Sequence, residues 1–168
     1  MMFGLGLIRD INPFEIIRHP WFISAFFAGG LAQLIKFTIA AIRLRRFDFP
    51  LLWSAGGMPS AHSALVTALA VSVGLTEGFD SHEAMIAVGF GTIVLADAAT
   101  LRRAAGDHAA GDHAALLNRL MDELGGPEKF GVKRLRERLG HTRREVVGGV
   151  FFGMAVAYVV CRFWDFWK

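Results

Sequence analysis

Residues 21–42 read WFISAFFAGGLAQLIKFTIAAI, an apolar run whose only charged residue is Lys36. A helix of roughly 17–25 mostly apolar residues is what crosses a ~30 Å hydrocarbon core. This stretch therefore predicts a transmembrane helix, and with it the class of the whole protein. Composition agrees, since 54% of the 168 residues are apolar and fifteen are Phe, whereas soluble domains sit near 45–50%. Three further runs fit the same template: about 60–78, about 84–101 (AMIAVGFGTIVLADAATL) and about 146–163 (VVGGVFFGMAVAYVVCRF). Small residues are scattered through all four, as suits helices that approach closely in lipid. Trp21, Trp164 and Trp167 suit interfacial belts. The expected fold is all-α: one membrane domain, a polytopic helical bundle of about four spans, with a cytoplasmic helical connection over about 102–145.

Charge sets the expected orientation. Arg43, Arg45 and Arg46 follow the first span, and ten Lys or Arg lie between the third and fourth. The loop between the second and third holds Glu77, Asp80 and Glu83 and no cation. The positive-inside rule then places both basic connections in the cytoplasm, and the acidic loop and the C-terminal DFWK on the other side. The opening MMFGLGLIRDINPFEIIRHP is interrupted by charges and shows no small-residue cleavage site, so it reads as a short interfacial segment rather than a signal peptide. The single cysteine, Cys161, excludes an intrachain disulfide and argues against a thiolate metal site. Within the long connection HAALLNRLMDEL has helical spacing and is ended by Gly125, Gly126 and Pro127. KFGVKRLRERLG then predicts a second helix with a basic face. That face suits anionic headgroups, or it is simply solvated. Membrane, not nucleic acid, is the partner these cations imply.

With this topology the unusual polar residues gather at one membrane level. Lys36 and Arg43 lie toward the inner end of the first span. GGMPSAHSA, residues 56–64, opens the second; Asp97, Arg102 and Arg103 close the third; GHTRREV, with His141 and Glu145, opens the fourth. Ionisable groups inside spans are costly and mark function by default. Each also has a structural alternative. Lys36 can snorkel, the arginines can be topology signals, and Ser60 is a good helix N-cap. Asp97, Arg102 and Arg103 can be a charged helix end. His141 and Glu145, four apart, share a helix face; they form a structural pair, or a carboxylate that holds one imidazole nitrogen and leaves the other as nucleophile or base. His19, His82, His108 and His113 lack such support and are expected at the surface.

Cations around a glycine-rich turn and a helix N-terminus suit phosphate oxygens. Two histidines beside them suit phosphoryl transfer, one attacking phosphorus and the other protonating the leaving oxygen. No acidic cluster has metal spacing, and the simplest mechanism needs no metal and no cofactor.

AQLIK, GGMPSAHSALVTAL, DAATLRRAAG, LLNRL and LGHTRREVVGG, spread over about residues 31–153, resemble the divergent branch of the type 2 phosphatidic acid phosphatase family, also described as acid phosphatase/vanadium-dependent haloperoxidase-related membrane proteins. The broader superfamily carries K-x6-R-P, P-S-G-H and S-R-x5-H-x3-D. Lys36 to Arg43 fits K-x6-R, with Leu44 in place of proline. Pro59 to His62 fits the second motif with Ala61 for glycine, and His141 to Glu145 fits H-x3-D with a longer acid. Leu135 stands where the third motif has arginine, a place that Arg102, Arg103 or the neighbouring Arg136 would have to fill. The resemblance implies His141 as nucleophile, Glu145 as its orienting partner and His62 as acid for the leaving group. It also implies phosphate binding by Lys36, Arg43, Ser60 and an arginine. Thr100 replaces the family's usual glycine, and AGDHA occurs twice in tandem at residues 105–114, where the family pattern has room for one copy.

The expected function is a membrane phosphatase, in a bacterial inner membrane with its site facing the cytoplasm. It would hydrolyse a phosphate monoester or pyrophosphate on a phosphorylated lipid or isoprenoid through phosphohistidine. The alternative is a non-catalytic membrane protein that binds phosphorylated lipid or a partner, which the absent motif arginine and proline favour. A haloperoxidase or a small transporter, the latter needing a homo-oligomer, ranks behind both.

Overall fold

The computed structural model describes residues 14–45, 57–101, 112–132, 134–135 and 142–164. Among these the secondary structure is helical, without strands. A one-turn helix α1 (Glu15–Arg18) leads into α2 (Pro20–Leu44), followed by α3 (Ala61–Glu77) and α4 (His82–Ala96). A π-helical segment, Asp97–Leu101, extends α4. Then come α5 (Asp112–Glu123), a 3-10 turn (Pro127–Phe130) and α6 (Arg143–Trp164). Three stretches are long and apolar enough to span a bilayer: Pro20–Arg43, His82–Thr100 and Arg143–Trp164. The 25 residues of α2 extend about 37 Å at ~1.5 Å per residue. The second apolar run is the shorter 17-residue helix α3, and it lies at the centre, touching α2, α4 and α6.

Local chemistry explains the ends. Pro20 occupies the first position of α2, where its missing N–H costs nothing. Ser60 and Ser81 cap α3 and α4, accepting bonds from the amides of Ser63 and Ala84. Gly78, at φ +96, ends α3, and a turn of only four residues returns the chain as α4. In the third span the α-helix stops at Ala96, and residues 97–101 widen to π geometry, which a plain apolar run does not foretell.

Helices in lipid gain no hydrophobic drive from meeting, so they associate through close packing of small residues. The core here is a cluster of alanines: Ala28 and Ala32 of α2, Ala64 and Ala68 of α3, and Ala157 of α6, all fully buried. The tightest approach is between α6 and the start of α3. A Cβ on Gly149 would lie 2.5 Å from the carbonyl oxygen of Ser60, and one on Gly153 would lie 2.4 Å from that of Ala64. Both obstacles are backbone. Because Gly149 meets residues 60–64, Gly153 meets Ala64 and Ala157 joins Ala64 and Ala68 in the core, α3 and α6 run parallel. Helix α2 runs antiparallel to them: Lys36 lies against Gly57 at one end, and the Trp21 indole donates to Thr76 Oγ1 at 2.6 Å at the other.

The connection between α4 and α6 departs from expectation in one part. α5 forms over HAALLNRLMDEL and ends at Gly125 and Gly126, both at positive φ. The basic helix expected over KFGVKRLRERLG does not form in its described portion. Pro127–Phe130 is a single 3-10 turn closed by Gly131 at φ +63, and residues 132, 134 and 135 are non-helical. The buried Asn118 side chain supplies the backbone bonds a helix would have made: its Oδ1 accepts from Leu135 N–H at 3.0 Å and its Nδ2 donates to Leu135 C=O at 2.9 Å. Residues 136–140 lie outside the described residues. His19, His82 and His113 are exposed, as expected of surface histidines; His108 lies outside the described residues.

Gly153→Leu is expected to lower the unfolding free energy by roughly 1–3 kcal/mol or more, the cost of overpacking. Gly30 and Gly89 open onto empty space, so Gly30→Ala and Gly89→Ala should leave stability unchanged or raised. Thermal unfolding of detergent-solubilised variants checks the contrast.

Candidate functional site

One end of the bundle collects the start of α3, the start of α6, the end of α2 and the π segment after α4. The turn at residues 57–60 organises it. Gly57 takes φ +91, and a Cβ there would sit 3.1 Å from Lys36 Cδ. Glycine is thus required twice, for the backbone conformation and to let the Lys36 stem lie along the turn. A cis bond joins Met58 to Pro59, and Ser60 follows as the N-cap of α3.

Ser60 is fully buried. Its hydroxyl accepts from Ser63 N–H at 3.3 Å and from the Ser63 hydroxyl at 2.9 Å. Its own N–H donates to the Glu145 carbonyl at 3.1 Å. That last bond ties the P-S-A-H stretch to the first turn of α6, two segments remote in sequence. The close seating of Gly149 on Ser60 and Ser63 makes it possible.

The first turn of α6 is a capping box, T-x-x-E. Thr142 N–H donates to Glu145 Oε2 at 2.9 Å, and Glu145 N–H reaches back to Thr142 Oγ1 at 3.4 Å. Glu145 also interacts electrostatically with Lys36 on α2. One carboxylate therefore closes the helix start and balances the cation across the site. Arg43 lies seven residues beyond Lys36, on the same face of α2, and is exposed. His62, at the second position of α3, is exposed at the same end. Asp97 opens the π segment, which packs against α6; π-helical turns are frequent at functional sites.

Of the residues the sequence singles out, Ser60, His62 and Glu145 belong to the turn and the two helix starts that meet there, and the Lys36 side chain reaches the turn from α2. Arg43 and Asp97 flank them on neighbouring elements. His141, Arg102 and Arg103 lie outside the described residues, although His141 immediately precedes Thr142 in the chain. Among the described residues no group of three His, Cys, Asp or Glu side chains could hold a metal ion. Three contributors escape a search for charged residues: Gly57, Thr142 and the Gly149/Gly153 pair. Thr142 and Glu145 carry a legible T-x-x-E signature, and the glycines a G-x-x-x-G spacing.

The arrangement gathers two helix starts and two cations at one end of the bundle. α3 and α6 are parallel with adjacent N-termini, so the positive ends of two helix dipoles converge. Helix N-termini are ready settings for phosphate oxygens, and Lys36 and Arg43 lie on the neighbouring helix. Removing either cap should loosen this end first. Ser60→Ala and Thr142→Ala are each expected to cost about 1 kcal/mol, with faster amide exchange confined to the first turn of α3 or α6 respectively.

Comparison with known proteins finds similarity over most of the chain. An uncharacterized membrane protein of Bacillus subtilis (strain 168), YuiD, is 36% identical over 155 residues, covering 89% of this chain and 98% of that protein. No solved structure matches. The family model described as "Divergent PAP2 family" matches residues 17–156, a stretch that takes in α2, α3, α4, both capped helix starts and most of α6, and the chain belongs to that family.

Proposed function

We propose that this protein is a membrane phosphatase that hydrolyses a phosphate monoester or pyrophosphate on a lipid through a phosphohistidine intermediate. The observation that carries the proposal is the Ser60 N–H to Glu145 C=O bond. It joins the P-S-A-H turn to the start of α6, the helix that follows His141 in the sequence, and this supports a shared role for the two motifs. Family membership supports a phosphatase-like membrane protein.

In this scheme the phosphoryl group sits over the starts of α3 and α6, with Lys36 and Arg43 neutralising its oxygens; Arg102 and Arg103, which follow the π segment in sequence, are further ligands. Charge on the equatorial oxygens grows in the transition state, where fixed cations and amide dipoles stabilise it most. An imidazole nitrogen of His141 attacks phosphorus as the bond to the leaving oxygen breaks, and His62 donates its proton to that oxygen. Water then attacks the phosphohistidine, giving its proton to His62, and phosphate and free His141 are released. Glu145, four residues further along the chain, orients His141, and its carboxylate also closes the capping box. Ser60, being buried, acts by shaping the turn. Asp97 helps set the electrostatic balance from the π segment. The site faces the cytoplasm, as the arginine-rich connections favour.

Purified protein should release phosphate from phosphatidic acid, phosphatidylglycerol phosphate or an isoprenyl pyrophosphate, with inhibition by vanadate. His62→Ala should lower the rate by about 10²–10⁴-fold, the usual worth of a general acid, and His141→Ala at least as much. A second reading, a binding protein on the same scaffold, is favoured by Leu135, which stands where the superfamily carries a phosphate-binding arginine. Its signature is tight binding of these lipids, unaffected by His141→Ala, with no turnover.

A further inference from the structure

We infer that α5 is an interfacial helix whose exposed leucine face lies in the headgroup and acyl boundary of the leaflet at the site end of the bundle. Its partner is the bilayer itself, met through apolar burial rather than through charge. The inference rests on the topology of the spans and not on the phosphatase reading.

Leu124 continues α5 by donating its N–H to the Leu120 carbonyl at 3.0 Å. At 3.6 residues per turn, Leu116, Leu117, Leu120 and Leu124 fall within an arc of about 100° around the helix axis. All four are exposed, by 44% to 58%. The opposite side is already committed: Asn118 is buried and holds the Leu135 backbone, and Asp122 pairs with Arg134. Among the described elements α5 packs chiefly against the 3-10 turn that follows it, so the leucine face is left outward. Its 12 residues extend only about 18 Å, too short to cross a bilayer. A helix of low overall hydrophobicity, with leucines on one side and charges on another, has the pattern of helices that lie in the interface plane.

Topology decides what meets that face. α3 and α6 run parallel, and α4 returns against α3 after a tight turn, so the third span ends and the fourth begins at one face of the membrane. α5 lies between them in the chain. From Leu101 to Asp112 even a fully extended chain covers at most about 40 Å, at 3.3–3.6 Å per residue. That short tether turns contact with the bilayer into an intramolecular event at high effective concentration. A face too small to hold a free peptide on a membrane is enough there. Charge argues for the same mode of contact. α5 carries Asp112, Asp122 and Glu123 against Arg119 alone, so anionic headgroups do not draw it in, and salt does not screen what holds it.

Spin labelling of the full chain in phosphatidylcholine nanodiscs tests this. Nitroxides are placed on Leu116→Cys, Leu117→Cys and Leu120→Cys in a Cys161→Ser background, with Arg119→Cys and Asp112→Cys as labels off the leucine arc. Collision with oxygen, which concentrates in lipid, is compared with collision with a water-soluble nickel chelate. The oxygen-to-nickel ratio is expected to be roughly threefold or more higher at the leucine positions, as for a face sunk about 5–10 Å into the boundary. It should be unchanged by high salt or by added phosphatidylglycerol. Equal ratios at all five positions would overturn the inference by showing a solvated helix. Protection of the leucine positions from both reagents would overturn it in favour of a protein contact, with a second copy or another part of this chain. A contrast that appears only with phosphatidylglycerol and vanishes in salt would replace apolar burial with headgroup attraction.

Discussion

The approach of α6 to the N-terminus of α3 is the constraint on which the site depends. Two glycines one turn apart remove the side chains that would otherwise hold the helix backbones apart, and the atoms they would strike are the carbonyl oxygens of Ser60 and Ala64. Carbonyl positions in a helix cannot shift without breaking its ladder. The separation is therefore set by covalent geometry rather than by adaptable side chains. At that separation the Ser60 amide reaches the Glu145 carbonyl, and the two capped helix starts become neighbours. The alanine cluster of Ala28, Ala32, Ala64, Ala68 and Ala157 continues the same close packing toward the other end of the bundle.

The electrostatic character of the site follows from this packing. Parallel helices place like dipole ends side by side, an unfavourable arrangement unless negative charge is supplied. Glu145 supplies part of it from within, through the capping box and its interaction with Lys36. A phosphate would supply more. The same turn that aligns the helix starts also carries the Lys36 stem across Gly57, so the cation is directed by backbone shape. Lys36 is thus held by tertiary structure, which sets it apart from a lysine merely reaching for the interface.

Much of the fold was legible because bilayer thickness converts length and apolarity directly into helices. The apolar runs opening at Trp21, Ala84 and Val146 each lie in helices of spanning length, and Ser60 is the N-cap its position after Pro59 implies. Other features depend on pairings that a linear pattern does not carry. The π segment at Asp97–Leu101 alters hydrogen-bond register without altering composition. The expected basic helix after Lys129 loses to Asn118, whose amide satisfies the Leu135 backbone from another element. The significance of Gly149 and Gly153 was hidden among the many small residues of the spans, since spacing alone does not say which partner they meet. In the site, charge marks Lys36, His62 and Glu145 and the glycine-rich turn marks Gly57, whereas Thr142, which closes the start of α6, carries no charge and stands out only through its T-x-x-E spacing.

The central claim is that the two histidine-bearing segments joined by the Ser60–Glu145 bond act on one phosphoryl group. The most direct measurement is to quench turnover of a phosphorus-32-labelled lipid phosphate in base and map the bound label by peptide sequencing. An acid-labile, base-stable phosphohistidine on the peptide containing His141 is the predicted result. Steady hydrolysis with no covalent label, or label on a residue remote from residues 57–62 and 141–145, would contradict it.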